Sequence, residues 1–360
     1  MDDLFDYLKW RGDIPFSQVS PTPVDALIFS LLSYLGFGGI VADHPGQTIS
    51  LRDAATAFLA QPEKEQIIRV KADRRLLNAC AESLRFGNVE LTFYRDLFLP
   101  HADTQFAALG CLLDNGTAFL AFRGTDYSLT GWKEDFNMSF ADSVPAQREA
   151  LRYTREFAES YPLLLYLGGH SKGGNVAVYA AAKADPPLQQ RILGVYNNDG
   201  PGFTDALMGD PGYLTMVPKI HTYIPQSSII GMLLEHEEPY IVVKSSLFSI
   251  LQHECFSWEI KGGDFVRLDE IDNHSKSIDR TLKAYLADMD KNERSEFVDA
   301  FFSLITAGGA DQVFDLLHPK QIAAVIKSLG TDEKRRSFLF EKTRELLRAA
   351  KTSKQKSTED

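Results

Sequence analysis

Between Pro23 and Gly36 the apolar residues Val24, Ala26, Leu27, Ile28, Leu31, Leu32, Tyr34 and Leu35 recur at three- and four-residue steps, which predicts a helix. Leu51 to Leu59 and Arg75 to Ser83 carry the same period, so the first quarter of the chain reads as mostly helical. From Phe86 the pattern changes. Val89 to Tyr94 alternates, and Gln105 to Leu113 and Thr117 to Phe122 flank the turn residues Asp114-Asn115-Gly116, which predicts a β-hairpin. Then come a helix (Ala146 to Ser160), a strand (Leu163 to Leu167), a helix (Asn175 to Ala184) and three strands (Ile192 to Asn197, Lys219 to Ile224, Tyr240 to Lys244). Antiparallel strands followed by alternating strands and helices predict an α/β fold with a mixed central sheet and helices on both faces. Beyond Asn273 the helical period returns with Ile278, Leu282, Tyr285, Leu286, Phe297, Phe301, Phe302, Leu304 and Ile305, and two further helices are expected around Lys320 to Leu329 and Asp332 to Ala349. The expected division is an α/β domain over residues 1–290 with a helical N-terminal segment, a helical C-terminal extension over 291–349, and a disordered tail over 350–360.

Composition narrows the function classes. With 360 residues, 44% of them hydrophobic and 11% aromatic, the chain can bury a large core. Its formal charge of −11 is spread along the chain, which excludes a nucleic-acid groove and disfavours anionic lipid surfaces. Cys80, Cys111 and Cys255 show no C-x-x-C spacing and read as reduced thiols. The start Met1-Asp2-Asp3-Leu4-Phe5-Asp6 is acidic where a signal peptide is basic, and no apolar run approaches the ~18 residues of a transmembrane segment. A cytoplasmic protein is therefore expected. No metal-ligand cluster, phosphate-binding loop or dinucleotide fingerprint is present, so no cofactor is expected.

The strongest chemical signal is Leu167-Gly168-Gly169-His170-Ser171-Lys172-Gly173-Gly174-Asn175-Val176, where an apolar run meets a helix-forming stretch across a serine. Glycines two before and two after such a serine let a strand and a helix converge closely, as in a nucleophile elbow. The alternative is a glycine-rich turn in which Ser171 caps the helix. A serine hydroxyl attacks a carbonyl only if a base takes its proton and an acid orients that base. In elbow enzymes the order is serine, acid, histidine. Asp199, in Asn197-Asn198-Asp199-Gly200-Pro201, lies at the end of the next strand and is the candidate acid; an Asx-turn is the competing reading. His221, His236, His253, His274 and His318 follow it. His253, in a loop-like stretch past the last strand, is the preferred base. His221 falls inside a strand pattern, His274 opens a helix, and His236 is the runner-up in the run Glu235-His236-Glu237-Glu238, which reads as solvent-exposed; Glu235, Glu237 and Glu238 are substitutes for the acid. Oxyanion donors are the backbone N–H of Lys172 and the strand-end segment Phe122-Arg123-Gly124-Thr125-Asp126, with the Thr125 hydroxyl as an additional donor; the plain reading of the latter is a turn in which Arg123 pairs with a carboxylate.

Phe122-Arg123-Gly124-Thr125, Trp132 and Gly169-His170-Ser171-Lys172-Gly173-Gly174 together resemble the class 3 lipase group of α/β hydrolases, with its F-R-G-[ST] motif, nearby tryptophan and G-H-S-x-G-G. Tyr7 to Asp13 and Asn197 to Phe203 further resemble a bacterial branch of these lipase-like proteins, which implies no particular substrate. The resemblance implies an α/β-hydrolase fold, an oxyanion role for Thr125, and a lid over Asp126 to Phe140 that includes Trp132 and Phe136. Phe136, Met138 and Phe140 would then be candidate acyl contacts. Two departures stand out. Class 3 lipases carry their acid in a D-[IV]-V-P stretch, and the matching segment Pro225 to Gly231 has no carboxylate, which favours Asp199. Lys172 replaces the usual apolar residue; it is expected to point to solvent, the alternative being to steer an acidic substrate. The expectation is a serine hydrolase of the lipase or esterase kind acting on a small-molecule or lipid ester. Alternatives are a thioesterase and a non-catalytic hydrolase fold used for binding.

Overall fold

The segment Thr117–Phe122 is buried at every position and splits its side chains by parity between two cores. Phe119 and Ala121 enter one hydrophobic cluster, and Ala118, Leu120 and Phe122 enter the other. A strand covered on both faces must be central, with helices above and below it. The computed structural model describes residues 2–276 except 64–65, 103, 127–128, 139–140, 273–274, together with 292–294, 296 and 298. Of the expected C-terminal extension only residues 292–294, 296 and 298 are described, in helix; the rest of it and the tail lie outside the described residues.

The strands in chain order are β1 (Ile49–Ser50), β2 (Glu90–Leu99), β3 (Thr104–Leu112), β4 (Thr117–Phe122), β5 (Leu164–His170), β6 (Ile192–Asn198), β7 (Ile220–Pro225), β8 (Tyr240–Val243), β9 (Ile260–Lys261), β10 (Asp264–Phe265) and β11 (Arg267–Leu268). Among the described residues the main sheet has nine strands in the order β1-β2-β3-β4-β5-β6-β7-β8-β11. β1 to β4 pair antiparallel, β4 to β8 pair parallel, and β11 closes the far edge antiparallel to β8. The expected hairpin is β3–β4, with Gly116 in the left-handed region (φ 75°) at its turn. β2 runs longer than its alternation suggests because a bulge at Phe93 (φ 55°) breaks the period between Thr92 and Arg95.

The helices that position the site are α1 (Leu4–Arg11), α2 (Pro23–Leu32), α3 (Leu51–Ala60), α4 (Lys71–Glu82), α5 (Leu84–Gly87), α6 (Leu129–Asn137), α7 (Pro145–Ser160) and α8 (Lys172–Ala182). Apolar residues of α1 to α4 pack in one core with Leu109, Phe119 and Tyr196 of the sheet, while α7 and α8 share the other core with Leu120, Leu167 and Val195. The fold is thus α/β, a mixed sheet with helices on both faces. α8 starts three residues before the apolar pattern suggests, because Gly173 and Gly174 in its first turn carry no helical signal.

The N-terminal helices are stitched by a buried ion pair. Asp25, next to the Thr22 cap of α2, accepts from Arg85 Nε at 2.9 Å and Nη2 at 2.6 Å, and from Tyr7 Oη at 2.8 Å. Both charged side chains are fully buried. Arg85 also donates to the carbonyls of Ile14, Val19 and Ser20. Removing the carboxylate would leave an uncompensated buried guanidinium, so Asp25→Ala is expected to lower unfolding free energy by about 3–5 kcal/mol in urea titration. A loss under about 1 kcal/mol, the range of exposed pairs, would contradict this account of the pair.

Candidate functional site

β5 ends at His170 and α8 begins at Lys172, so the whole strand-to-helix reversal falls on Ser171. Its backbone has φ 58° and ψ −134°, a left-handed conformation costing about 1–3 kcal/mol for a residue with a side chain. The neighbours explain how it is held. A Cβ on Gly169 would lie 2.2 Å from the Gly173 carbonyl carbon, and one on Gly173 would lie 2.2 Å from Phe122 O. A Cβ on Gly174 would lie 2.1 Å from Asn197 Oδ1. Only glycine permits this approach of β4, β5, β6 and α8, and the Ser171 N–H donates to Asn198 O at 2.9 Å.

One residue past β6, Asp199 is a second left-handed residue (φ 54°), fully buried, whose N–H donates to Tyr223 O at 2.7 Å. The Asx-turn at this strand end is made by Asn197, whose Oδ1 accepts from Gly200 N at 2.9 Å. That leaves the Asp199 carboxylate for other partners. Oδ1 accepts from Ser228 Oγ at 2.6 Å and Gly231 N at 3.1 Å, and Oδ2 lies 2.6 Å from His253 Nδ1. The segment Pro225 to Gly231, which has no acid of its own, thus supplies two donors that hold Asp199. A carboxylate only accepts, so the Nδ1 atom of His253 carries the proton and, in the neutral ring, Nε2 keeps its lone pair. His253 ends a 3-10 turn, Ser249–His253, with its side chain 26% exposed. Its ring lies 4.5 Å, centroid to centroid, from that of His170, the residue before Ser171.

The other candidates stand elsewhere. His236 is not solvent-exposed: its side chain is 7% exposed, with Nδ1 3.0 Å from Glu238 Oε1 and Nε2 2.9 Å from Gly231 O. Glu238 is buried and accepts from Tyr213 Oη at 2.5 Å and Thr222 Oγ1 at 2.6 Å, which makes it an internal anchor rather than a partner of His253. Glu235 forms a strand-like bridge with Phe203, and the Glu237 N–H meets Tyr213 Oη at 3.3 Å. His221 lies on β7 stacked against Tyr196. His274 and His318 lie outside the described residues.

Gly124 brings the end of β4 against the elbow: a Cβ there would lie 2.4 Å from His170 O and 3.2 Å from Ser171 Cβ. Arg123 follows its plain reading, a bidentate pair with Asp96 at 2.8 and 2.9 Å. Thr125 Oγ1 donates to Asp135 Oδ2 at 2.5 Å, so its hydroxyl proton is already engaged. The Lys172 side chain does not point to solvent. It is 2% exposed, with Nζ 2.9 Å from both Glu134 Oε2 and Gln105 O. α6 folds back on the elbow and brings Glu134 to a lysine that burial would otherwise penalise. Glu134 also accepts from Gln105 N at 3.2 Å and Ala146 N at 2.8 Å. The expected lid segment is therefore anchored by α6. Phe136 is 42% exposed, whereas Met138 belongs to the core under α7 and α8. The Trp132 side chain and Phe140 lie outside the described residues. Glu134, Asp135 and Gln105 carry no local sequence signal, since acidic residues on a short amphipathic helix ordinarily face water. Among the described residues no group of three or more His, Cys, Asp or Glu could hold a metal ion, and no helix is long and apolar enough to cross a membrane.

A mixed sheet whose strands β4 to β8 run parallel, with a tight turn between β5 and the following helix and a carboxylate just past β6, defines an α/β-hydrolase fold. The chain belongs to the Mbeg1-like family, whose model matches residues 80–303. Similar solved structures include a mutant form of MDLA from Penicillium cyclopium (14% identity, covering 69% of this chain and 87% of that one, TM-score 0.38). Others are a fungal lipase (12%, 66% and 83%, TM-score 0.37) and the native Rhizomucor miehei lipase propeptide complex (15%, 49% and 69%, TM-score 0.35). No curated protein matches the chain.

Burial raises the Asp135 carboxyl to about 6, against the opposing pull of the Lys172 ammonium and the Thr125 hydroxyl. The folded chain then keeps a proton that the unfolded chain releases near 3.8, so this group's contribution is full below that pH and is lost as pH rises through 6. Asp135→Asn should flatten the part of the stability-against-pH curve between about 4 and 6, measured by urea unfolding. An unchanged slope there would contradict the assignment.

Proposed function

We propose that the chain is a serine hydrolase that cleaves a carboxylic ester through an acyl-enzyme intermediate. The observation that carries this reading is the 2.6 Å contact between His253 Nδ1 and Asp199 Oδ2 beside the strained serine turn. It supports a base whose Nε2 lone pair accepts the Ser171 proton while Oγ adds to the ester carbonyl. The resulting imidazolium is stabilised by the Asp199 carboxylate and returns the proton to the departing alkoxide. Water then repeats the sequence on the acyl ester, and Ser171 is regenerated with release of the acid.

The negative charge on the tetrahedral oxygen calls for fixed donors. Lys172 opens α8, where the first N–H groups have no intrahelical acceptor, so its backbone is the first donor proposed. The second is the backbone N–H of Thr125, since its hydroxyl is committed to Asp135. The Lys172 ammonium is committed to Glu134, which removes the case for its steering an acidic substrate.

A fluorophosphonate probe is expected to label the wild-type chain and leave Ser171→Ala blank. Asp199→Asn should keep the fold and lower ester turnover by about 10⁴-fold, as when an imidazole loses its orienting carboxylate. Folded wild-type chain that resists the probe would overturn the hydrolase reading and leave a fold used for binding.

A further inference from the structure

Arg69 lies in the loop between α3 and α4, ahead of residue 80, where the family model begins. It nevertheless reaches the turn that carries His253. Arg69 Nη1 and Nη2 each donate to one oxygen of Glu254, the residue after His253, at 2.8 Å. The two side chains are 10% and 29% exposed, so water screens this bidentate pair weakly. The guanidinium also lies 4.7 Å over the ring of Tyr34, and the backbone N–H of Arg69 donates to Asp73 Oδ2 at 2.9 Å. Arg69 is thereby fixed at its own end before it grips Glu254.

Tyr34 carries a second line to the same turn. His170 Nε2 lies 2.9 Å from the His253 carbonyl oxygen, which can only accept, so Nε2 bears the proton. Burial holds His170 well below the ordinary histidine range and hence neutral, which leaves Nδ1 as the acceptor for Tyr34 Oη at 3.0 Å. His253 is thus bracketed by its own carbonyl, held through His170, and by its neighbour's carboxylate, held by Arg69.

We infer that Arg69 is a positioning residue, which acts through Glu254 to keep the His253 imidazole aligned between Asp199 and Ser171. The inference rests on the hydrolase reading for its catalytic meaning. Its geometric content is a planar two-bond fork that fixes the backbone on the C-terminal side of His253, where a single ammonium or a neutral amide would allow rotation. Misplacement of a reacting group by about 1 Å costs up to ~10²-fold in rate.

The test uses the full chain and two readouts, the rate of fluorophosphonate labelling per folded molecule and the low-field proton resonance of the short His253–Asp199 hydrogen bond, assigned by its loss in Asp199→Asn. Arg69→Met and Glu254→Gln should each slow labelling by about tenfold or more and shift or broaden that resonance. Arg69→Lys should fall between, and the Arg69→Met, Glu254→Gln double variant should be no slower than the slower single, as for two residues acting as one unit. If Arg69→Met does not fold, Arg69→Lys and Glu254→Gln decide the matter. Wild-type labelling rates and an unaltered resonance in folded variants would overturn the inference. A wild-type chain that is not labelled but shows the resonance would sink the hydrolase reading while the resonance arm still decides the role of Arg69.

Discussion

The left-handed backbone of Ser171 is the constraint around which the molecule is arranged. A residue with a side chain holds φ 58° only when the surroundings leave no alternative. Here β5 and α8 are pressed together so closely that Gly169, Gly173 and Gly174 have no room for a single carbon. That approach depends in turn on the parallel pairing of β4, β5 and β6, each buried on both faces by a different set of helices. The two cores press the elbow from opposite sides, and the hydroxyl is presented where strand becomes helix.

A second strained residue, Asp199, stands at the corresponding end of the neighbouring strand. Its carboxylate is saturated by Ser228, Gly231 and His253, so it can neither turn away nor be replaced by water without loss of three hydrogen bonds. Around this pair lie two layers of support of different origin. The side on which oxyanion donors are proposed is braced by the Lys172–Glu134 pair, which fastens α6 to the elbow. The imidazole side is braced from the N-terminal segment through Tyr34, just past α2, and Arg69, in the loop before α4. For the proposed reaction these groups would hold the geometry without touching substrate.

The sheet is legible in the sequence wherever a strand is buried on both faces or alternates cleanly, as in β4 and β6, because hydrophobic period is a local signal. The elbow is legible because close backbone approach demands glycine at fixed offsets from one serine. Lys172 is not legible. A lysine after the serine reads as solvated until one knows that Glu134, 38 positions away, folds back to meet it. His236 and Glu238 fail for the same reason: four polar residues in a row suggest water, whereas Tyr213 and Thr222 make that carboxylate an interior group. Arg69 and Tyr34 are invisible for a stronger reason, since the partner of Arg69, Glu254, and that of Tyr34, His170, lie 185 and 136 positions further along the chain. Local pattern finds the elements and the tight turns; buried polar pairs of long sequence separation need the coordinates.

The most direct measurement is a crystal structure of the chain soaked with a small alkyl phosphonate that mimics the tetrahedral intermediate. Phosphorus is expected to be bonded to Ser171 Oγ, with the phosphoryl oxygen facing the backbone N–H groups of Lys172 and Thr125 and His253 Nε2 directed at the ester oxygen. Phosphorus on any other residue, or an imidazole of His253 turned away from the adduct, would contradict the hydrolase reading.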